Sequence, residues 1–184
     1  MTPQESKNIQ IIFASASGNV AAVCEKVAEI LNANGFVAQL HRAESTKFEL
    51  IAANQLFIFA TSTWEHGVIS PYFEPLLKEI SKNSVEGKYA GFIGLGDTRY
   101  EPVLFCGGMI TLQETFEKQG GTSISVPLKI NGDPYSLLDN MVTDWTKKFI
   151  SDLSNFNYRK AENDAKSVVN NIEEKEEAPK DISI

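Results

Sequence analysis

Apolar residues recur along this chain with two different spacings, and the alternation between them predicts the fold. Ile9 to Ala14 (IQIIFA), Gln55 to Ala60 (QLFIFA) and Tyr89 to Gly94 (YAGFIG) are short runs with almost no polar break. That is the pattern of parallel strands buried on both faces. The segments between them carry apolar residues three and four apart instead. Val20, Val23, Val27, Ile30 and Leu31 mark a helix that ends at Asn34-Gly35, a good left-handed cap. Phe73, Leu76, Leu77 and Ile80 mark a second helix within Pro71 to Lys82. Met109, Ile110, Leu112 and Phe116 mark a third within Cys106 to Gln119, closed by Gly120-Gly121. The last helix, Tyr135 to Phe156, points Leu138, Val142, Trp145, Phe149 and Leu153 inward, so Trp145 belongs to the core. Phe36 to Leu40 is a short second strand and Glu44 to Ala53 a connecting segment. Thr122 to Leu128 is an unbroken fifth strand, followed by a short turn over Lys129 to Pro134. Strands alternating with helices predict an α/β protein, a doubly wound three-layer sandwich around a five-stranded parallel sheet.

The pattern fades near Arg159, where Glu, Lys, Asn and Ala take over with few apolar positions. One domain over residues 1–157 and a charged, disordered tail over 158–184 are therefore expected, because such a tail lacks the apolar area to offset its ordering entropy. With 184 residues the chain has room for one full core. A net charge of −7 argues against a nucleic-acid partner and for a basic docking partner. No apolar run is long enough to span a bilayer, and the polar start MTPQESKNIQ has no signal-peptide pattern, so a cytoplasmic location is expected. Cys24 and Cys106 are the only cysteines, with no metal-ligand spacing, which disfavours a disulfide framework or structural zinc. His41 and His66 leave little material for histidine-based catalysis.

The candidate chemistry lies where strands end, since ligands of open parallel sheets bind in the crevice at the strands' carboxyl ends. After the first strand comes Ser15-Ala16-Ser17-Gly18-Asn19-Val20, leading directly into a helix. Free backbone N–H groups, the helix dipole and the side chains of Ser15, Ser17 and Asn19 form a recipe for holding an anion by hydrogen bonds, with no Lys or Arg in the loop. Simple capping of the helix by Ser17 or Asn19 is the plainer alternative. The third strand empties into Thr61-Ser62-Thr63-Trp64-Glu65-His66-Gly67. There Trp64 is either a ligand wall or a residue packed under the next helix. The fourth strand empties into Gly96-Asp97-Thr98-Arg99-Tyr100-Glu101, where Tyr100 is either a second wall or a tyrosine at the edge of the core. The first loop has neither the G-x-G-x-x-G of a dinucleotide site nor the G-K-S/T of a nucleotide triphosphatase.

Taken in order, these three loops resemble those of the flavodoxin family, over roughly Ile9 to Phe156. Ser15 to Val20 is similar to the family's phosphate loop, S/T-x-T-G-N-T. Thr61 to Trp64 is similar to the loop whose aromatic covers one flavin face, and Gly96 to Tyr100, continued by Phe105-Cys106-Gly107, to the loop whose tyrosine covers the other. The resemblance implies strand order 2-1-3-4-5, a short-chain member, non-covalent FMN and a low-potential one-electron carrier that is itself no enzyme. It also implies a monomer that docks through an acidic surface on a flavodoxin/ferredoxin-NADP reductase and on redox acceptor enzymes. Ser15, Ser17, Gly18 and Asn19 would bind the phosphate, with Thr61 and Thr63 nearby, and Ala16, Val20 and Ser62 of the same two loops would also adjoin the cofactor. Trp64 and Tyr100 would sandwich the ring system, and Glu65, Gly96, Asp97, Phe105 and Cys106 would adjoin it, Asp97 at the pyrimidine edge. A quinone or azo reductase on the same fold, and a binding module without flavin, are the competing readings.

Two departures stand out. Val20 occupies a position where the family has a threonine, which removes one hydroxyl contact worth roughly 0.5–1.5 kcal/mol. Glu65 follows Trp64 where glycine is common in the family. The peptide after that aromatic turns over on one-electron reduction in the family. A side chain there is expected to add roughly 1–3 kcal/mol of backbone strain and so to leave the semiquinone less stabilised than in glycine-bearing relatives, unless the loop is shifted by one or two residues and places Gly67 at the turn.

Overall fold

A computed structural model describes residues 7–99 and 102–156. The chain alternates strands and helices as the apolar pattern requires. The strands are β1 (Asn8–Phe13), β2 (Val37–Arg42), β3 (Leu56–Ser62), β4 (Tyr89–Gly96), β5 (Thr122–Ser123) and β6 (Leu128–Asn131). The helices are α1 (Asn19–Ala33), α2 (Phe48–Ala53), α3 (Glu74–Ile80), α4 (Gly107–Lys118) and α5 (143–156).

All pairings are parallel and the order is β2-β1-β3-β4-β5, with β6 also pairing with β4. β1, β3 and β4 are buried nearly end to end because helices cover both faces of the sheet. One core lies under α1 and α5, where Val23, Val27 and Leu31 meet Trp145, Phe149 and Leu153. The other lies under α2, α3 and α4, around Phe57, Phe59, Phe73, Phe92 and Phe116. Phe59 is its hub, stacked on Phe57 at 5.5 Å and meeting Phe116 edge-on at 5.5 Å.

The fifth strand differs from the sequence expectation. It is two short strands, β5 and β6, and residues expected to form the following turn, Lys129 to Asn131, belong to β6. The cause is local. Pro127 has no N–H to give to the ladder, and the neighbouring Val126 carbonyl instead accepts a 2.8 Å bond from the Trp145 indole nitrogen. Pairing resumes at Leu128, opposite Ile93, and brings Asn131 level with Gly96 at the end of β4. The final helix also starts irregularly, through a 3-10 turn at Tyr135–Leu137 and a π turn at Leu138–Val142. Trp145, stacked on Phe149 at 5.6 Å, is a core residue as its spacing required.

Candidate functional site

The order β2-β1-β3 reverses direction between β1 and β3, and the loops leaving those two strands therefore splay apart at their carboxyl ends. A cleft of about 890 Å³ opens there. Ser15, Ala16, Ser17, Asn19 and Val20 form one end. Ser62, Thr63, Trp64 and Glu65 form one side, while Gly96, Asp97, Phe105 and Cys106 form the other. Three loops far apart in sequence thus meet on one space. Among the residues singled out from the sequence, Gly18 and Thr61 do not line it, and Tyr100 lies outside the described residues, as does the tail from 158 onward.

The first loop is shaped to present amides. Gly18 is the residue preceding α1 and has a left-handed conformation, φ 91°, and neither it nor its neighbours Ser17 and Asn19 gives the helix a side-chain cap. Capping by Ser17 or Asn19 is therefore not what this loop does. Instead the buried Ser15 hydroxyl accepts the Ala21 N–H from six residues away (3.2 Å), and Ala22 N–H goes to the Gly18 carbonyl. Asn19 and Val20 head the helix, where amides have no carbonyl of their own helix to bond, and both residues line the cleft. The fold adds a cation that the loop's own sequence lacks. Arg42, level with Phe13 across the β1–β2 ladder, donates from a terminal guanidinium nitrogen to the Ser15 carbonyl at 2.8 Å. Thr61 lies beneath this region, fully buried, with its hydroxyl turned to the Ser62 carbonyl.

The Trp64 wall is a small hairpin. Thr63 bridges to Ile69, Trp64 N–H donates to the Val68 carbonyl at 2.9 Å, and Gly67 N–H donates to the Trp64 carbonyl at 3.1 Å. The turn's two positive φ angles fall on His66 (59°) and Gly67 (76°), whereas Glu65 keeps a negative φ. This corrects the expectation for Glu65: three residues, Glu65 to Gly67, separate the paired Trp64 and Val68, and the left-handed angles fall on the last two of them, the centre of the turn closed by Val68 N–H on the Glu65 carbonyl at 3.4 Å. Any strain sits at His66. The hairpin rests on the start of α4, where it approaches so closely that a Cβ on Gly107 would stand 2.6 Å from the Gly67 carbonyl oxygen. Thr63 fastens the assembly from two sides, its N–H to the Leu95 carbonyl (2.8 Å) and its hydroxyl accepting Gly108 N–H (3.3 Å). Trp64 itself remains 42% exposed, touching Tyr72 edge-on at 6.4 Å.

The opposite wall is held from β6. Asn131 accepts Thr98 N–H and donates to the Thr98 hydroxyl, both at 3.0 Å, and Gly132 N–H bonds the Gly96 carbonyl at 2.8 Å. Gly132 and Asp133 also line the cleft. These residues were read as a plain turn in the sequence; only the register that follows the Pro127 break makes them visible. Asp97 is expected at a ligand edge, but its carboxylate is occupied. It accepts the Arg99 side chain at 2.6–3.0 Å and the Arg99 backbone N–H at 2.9 Å. Those bonds hold its carboxyl below the usual carboxylate range. Cys106 closes the floor with a thiol bonded to the Gly94 carbonyl and pushed up to about 11 by burial, so it is an unreactive packing group.

A hydroxyl- and amide-rich pocket at a helix head, opening into a slot walled by an indole at a sheet switch point, defines a mononucleotide-binding α/β protein. The family model described as flavodoxin matches residues 11–145, and the chain belongs to the flavodoxin family. A flavodoxin of Maridesulfovibrio salexigens is 30% identical over 127 residues, covering 67% of this chain and 86% of that protein. The sulfite reductase [NADPH] flavoprotein alpha-component of Buchnera aphidicola is 32% identical over 129 residues, covering 67% of this chain but only 21% of that protein. Among solved structures, oxidised flavodoxin 2 from Bacillus cereus is similar with a TM-score of 0.73 and 25% identity, over 78% of this chain and 98% of that one. A Fusobacterium nucleatum flavodoxin bound to flavin mononucleotide has a TM-score of 0.65 and 17% identity, over 78% and 97%.

Proposed function

We propose that this flavodoxin carries single electrons at low potential, using non-covalently bound FMN in the cleft. The convergence of the three strand-end loops on one cleft of about 890 Å³ is the observation that carries this reading, because that space suits a mononucleotide and its two ends differ in chemistry. Bound FMN supplies the redox chemistry. The chain's own residues bind and orient it. Amides of Asn19 and Val20, with the Ser17 hydroxyl, receive the phosphate by hydrogen bonding, and the Arg42 bond to Ser15 holds that loop in place. Trp64 covers one face of the ring system and excludes water from it. The backbone of residues 96–98, steadied by Asn131 and Gly132, fixes the ring's polar edge. Tyr100 is assigned the second face on the sequence resemblance alone.

Asn131→Ala removes both bonds to Thr98. Titration of the apoprotein with FMN, followed by flavin fluorescence, is expected to give about a five- to tenfold weaker complex, in line with one to two net hydrogen bonds. Asn131→Asp keeps the acceptor for Thr98 N–H and recovers part of that loss.

Electrons enter and leave by docking, in this reading, and the chain catalyses no reaction on a substrate. The partners are a reductase and acceptor enzymes with basic patches, matched to a net charge of −7 and to the exposed apolar rim of Trp64, Val68 and Tyr72. We also assign the chain to the cytoplasm as a monomer. Among the described residues no helix is long and apolar enough to cross a membrane. Mixing the holoprotein with NADPH tests the reading. Flavin reduction is expected only after a flavodoxin reductase is added, at a rate that falls as salt is raised. Direct NADPH oxidation by the protein alone with a quinone or azo dye as acceptor would instead make it a reductase.

A further inference from the structure

Arg99 is the only Lys or Arg among the described residues lining the cleft, against three carboxylates, Glu65, Asp97 and Asp133, and the imidazole of His66. It follows Asp97 by two positions. In that local loop the Asp97 carboxylate accepts the Arg99 backbone N–H (2.9 Å), while the side-chain Nε reaches both carboxylate oxygens at 3.0 Å and a terminal nitrogen reaches Oδ2 at 2.6 Å. The Arg99 side chain is 81% exposed and that of Asp97 only 19%, so the carboxylate is the fixed partner and the guanidinium the one held to it. A forked guanidinium keeps its orientation in a way that a flexible ammonium does not.

We propose that Arg99, anchored by Asp97, sets the charge of the cleft and makes the second electron easier to accept than the three carboxylates alone would allow. This rests on the FMN reading given above. Each electron comes from a reduced partner protein. When no proton accompanies the second one, the bound flavin gains one unit of negative charge, and each nearby uncompensated carboxylate opposes that gain. Arg99 cancels part of this opposition at the wall where it is pinned. Asp97 and Arg99 therefore offset one another, and among the described residues lining the cleft the remaining carboxylates are Glu65 and Asp133.

The test compares wild type with Arg99→Gln, Arg99→Lys, Asp97→Asn and the Arg99→Gln, Asp97→Asn double variant, all as holoproteins in low salt. Arg99→Gln is expected to weaken binding of fully reduced flavin relative to half-reduced flavin by about three- to tenfold, the upper end being about 59 mV in the second one-electron potential. Oxidised FMN binding changes by less than twofold. Arg99→Lys keeps the charge but loses the forked anchor on Asp97, so it recovers only part of the Arg99→Gln loss. In the Asp97→Asn background, Arg99→Gln has a smaller effect, because the guanidinium has lost its anchor. In the apoprotein, Arg99→Gln moves the Asp97 carboxyl, followed by NMR, up towards its ordinary titration range. An unchanged second potential in Arg99→Gln, or an equal loss of affinity for all three flavin states, would overturn the proposal while leaving the FMN site standing. Failure of the wild-type protein to bind FMN would overturn both.

Discussion

Trp64→Ala is expected to weaken FMN binding by about 30- to 150-fold, or roughly 2–3 kcal/mol, with little change in the stability of the apoprotein. The asymmetry follows from where the indole sits. Its backbone is fixed by the bonds to Val68 and Gly67, yet its ring is 42% exposed and makes only an edge contact with Tyr72, so the fold gains little from it. A flat ligand stacked on the exposed face would bury that area. Fluorescence titration of the apoprotein with FMN measures the loss, and urea denaturation of the apoprotein checks that the fold is intact. Trp64→Phe is expected to restore most of the affinity. A Trp64→Ala protein that binds FMN as well as wild type would remove Trp64 from the site.

Gly107→Val is expected to lower stability by about 1–3 kcal/mol and FMN affinity by tenfold or more. The added Cβ would stand 2.6 Å from the Gly67 carbonyl oxygen and 3.2 Å from its Cα, which are backbone atoms that cannot rotate away. The hairpin carrying Trp64 must then lift off the head of α4, and one wall of the cleft moves with it. Gly87→Ala is the control. Gly87 has φ 74° and open space around it, away from the cleft, so a side chain there strains the backbone without touching any wall. Stability should fall in both variants and FMN affinity only in Gly107→Val. Equal FMN affinity in the two would show that the contact between the hairpin and α4 does not position Trp64.

The parts of this molecule that were legible in the sequence are those fixed by local pattern. Apolar runs at β1, β3 and β4 announce strands buried on both faces, and Asn34-Gly35 announces the end of α1, where the cap indeed falls at Asn34. The three loops were legible because each follows a strand whose end is marked by a sudden change to hydroxyls, glycine or acid. What escaped depends on register and long-range contact. Arg42 reaches the loop after β1 only because the β1–β2 pairing sets it opposite Phe13. Asn131 reaches Thr98 only because Trp145 captures the Val126 carbonyl and the ladder restarts at Leu128. Pro127 was the available signal for that break. The Glu65 expectation failed for a related reason. It placed the demanding backbone angles by the position of the aromatic, whereas the hairpin's hydrogen bonds place them at His66 and Gly67. Gly67, two residues on, was the better guide.

The most direct test is an anaerobic reductive titration of the FMN-loaded protein, followed by its visible spectrum. Two resolved one-electron steps, with the second at markedly lower potential, are the predicted result. A single two-electron step would contradict the assignment of a one-electron carrier.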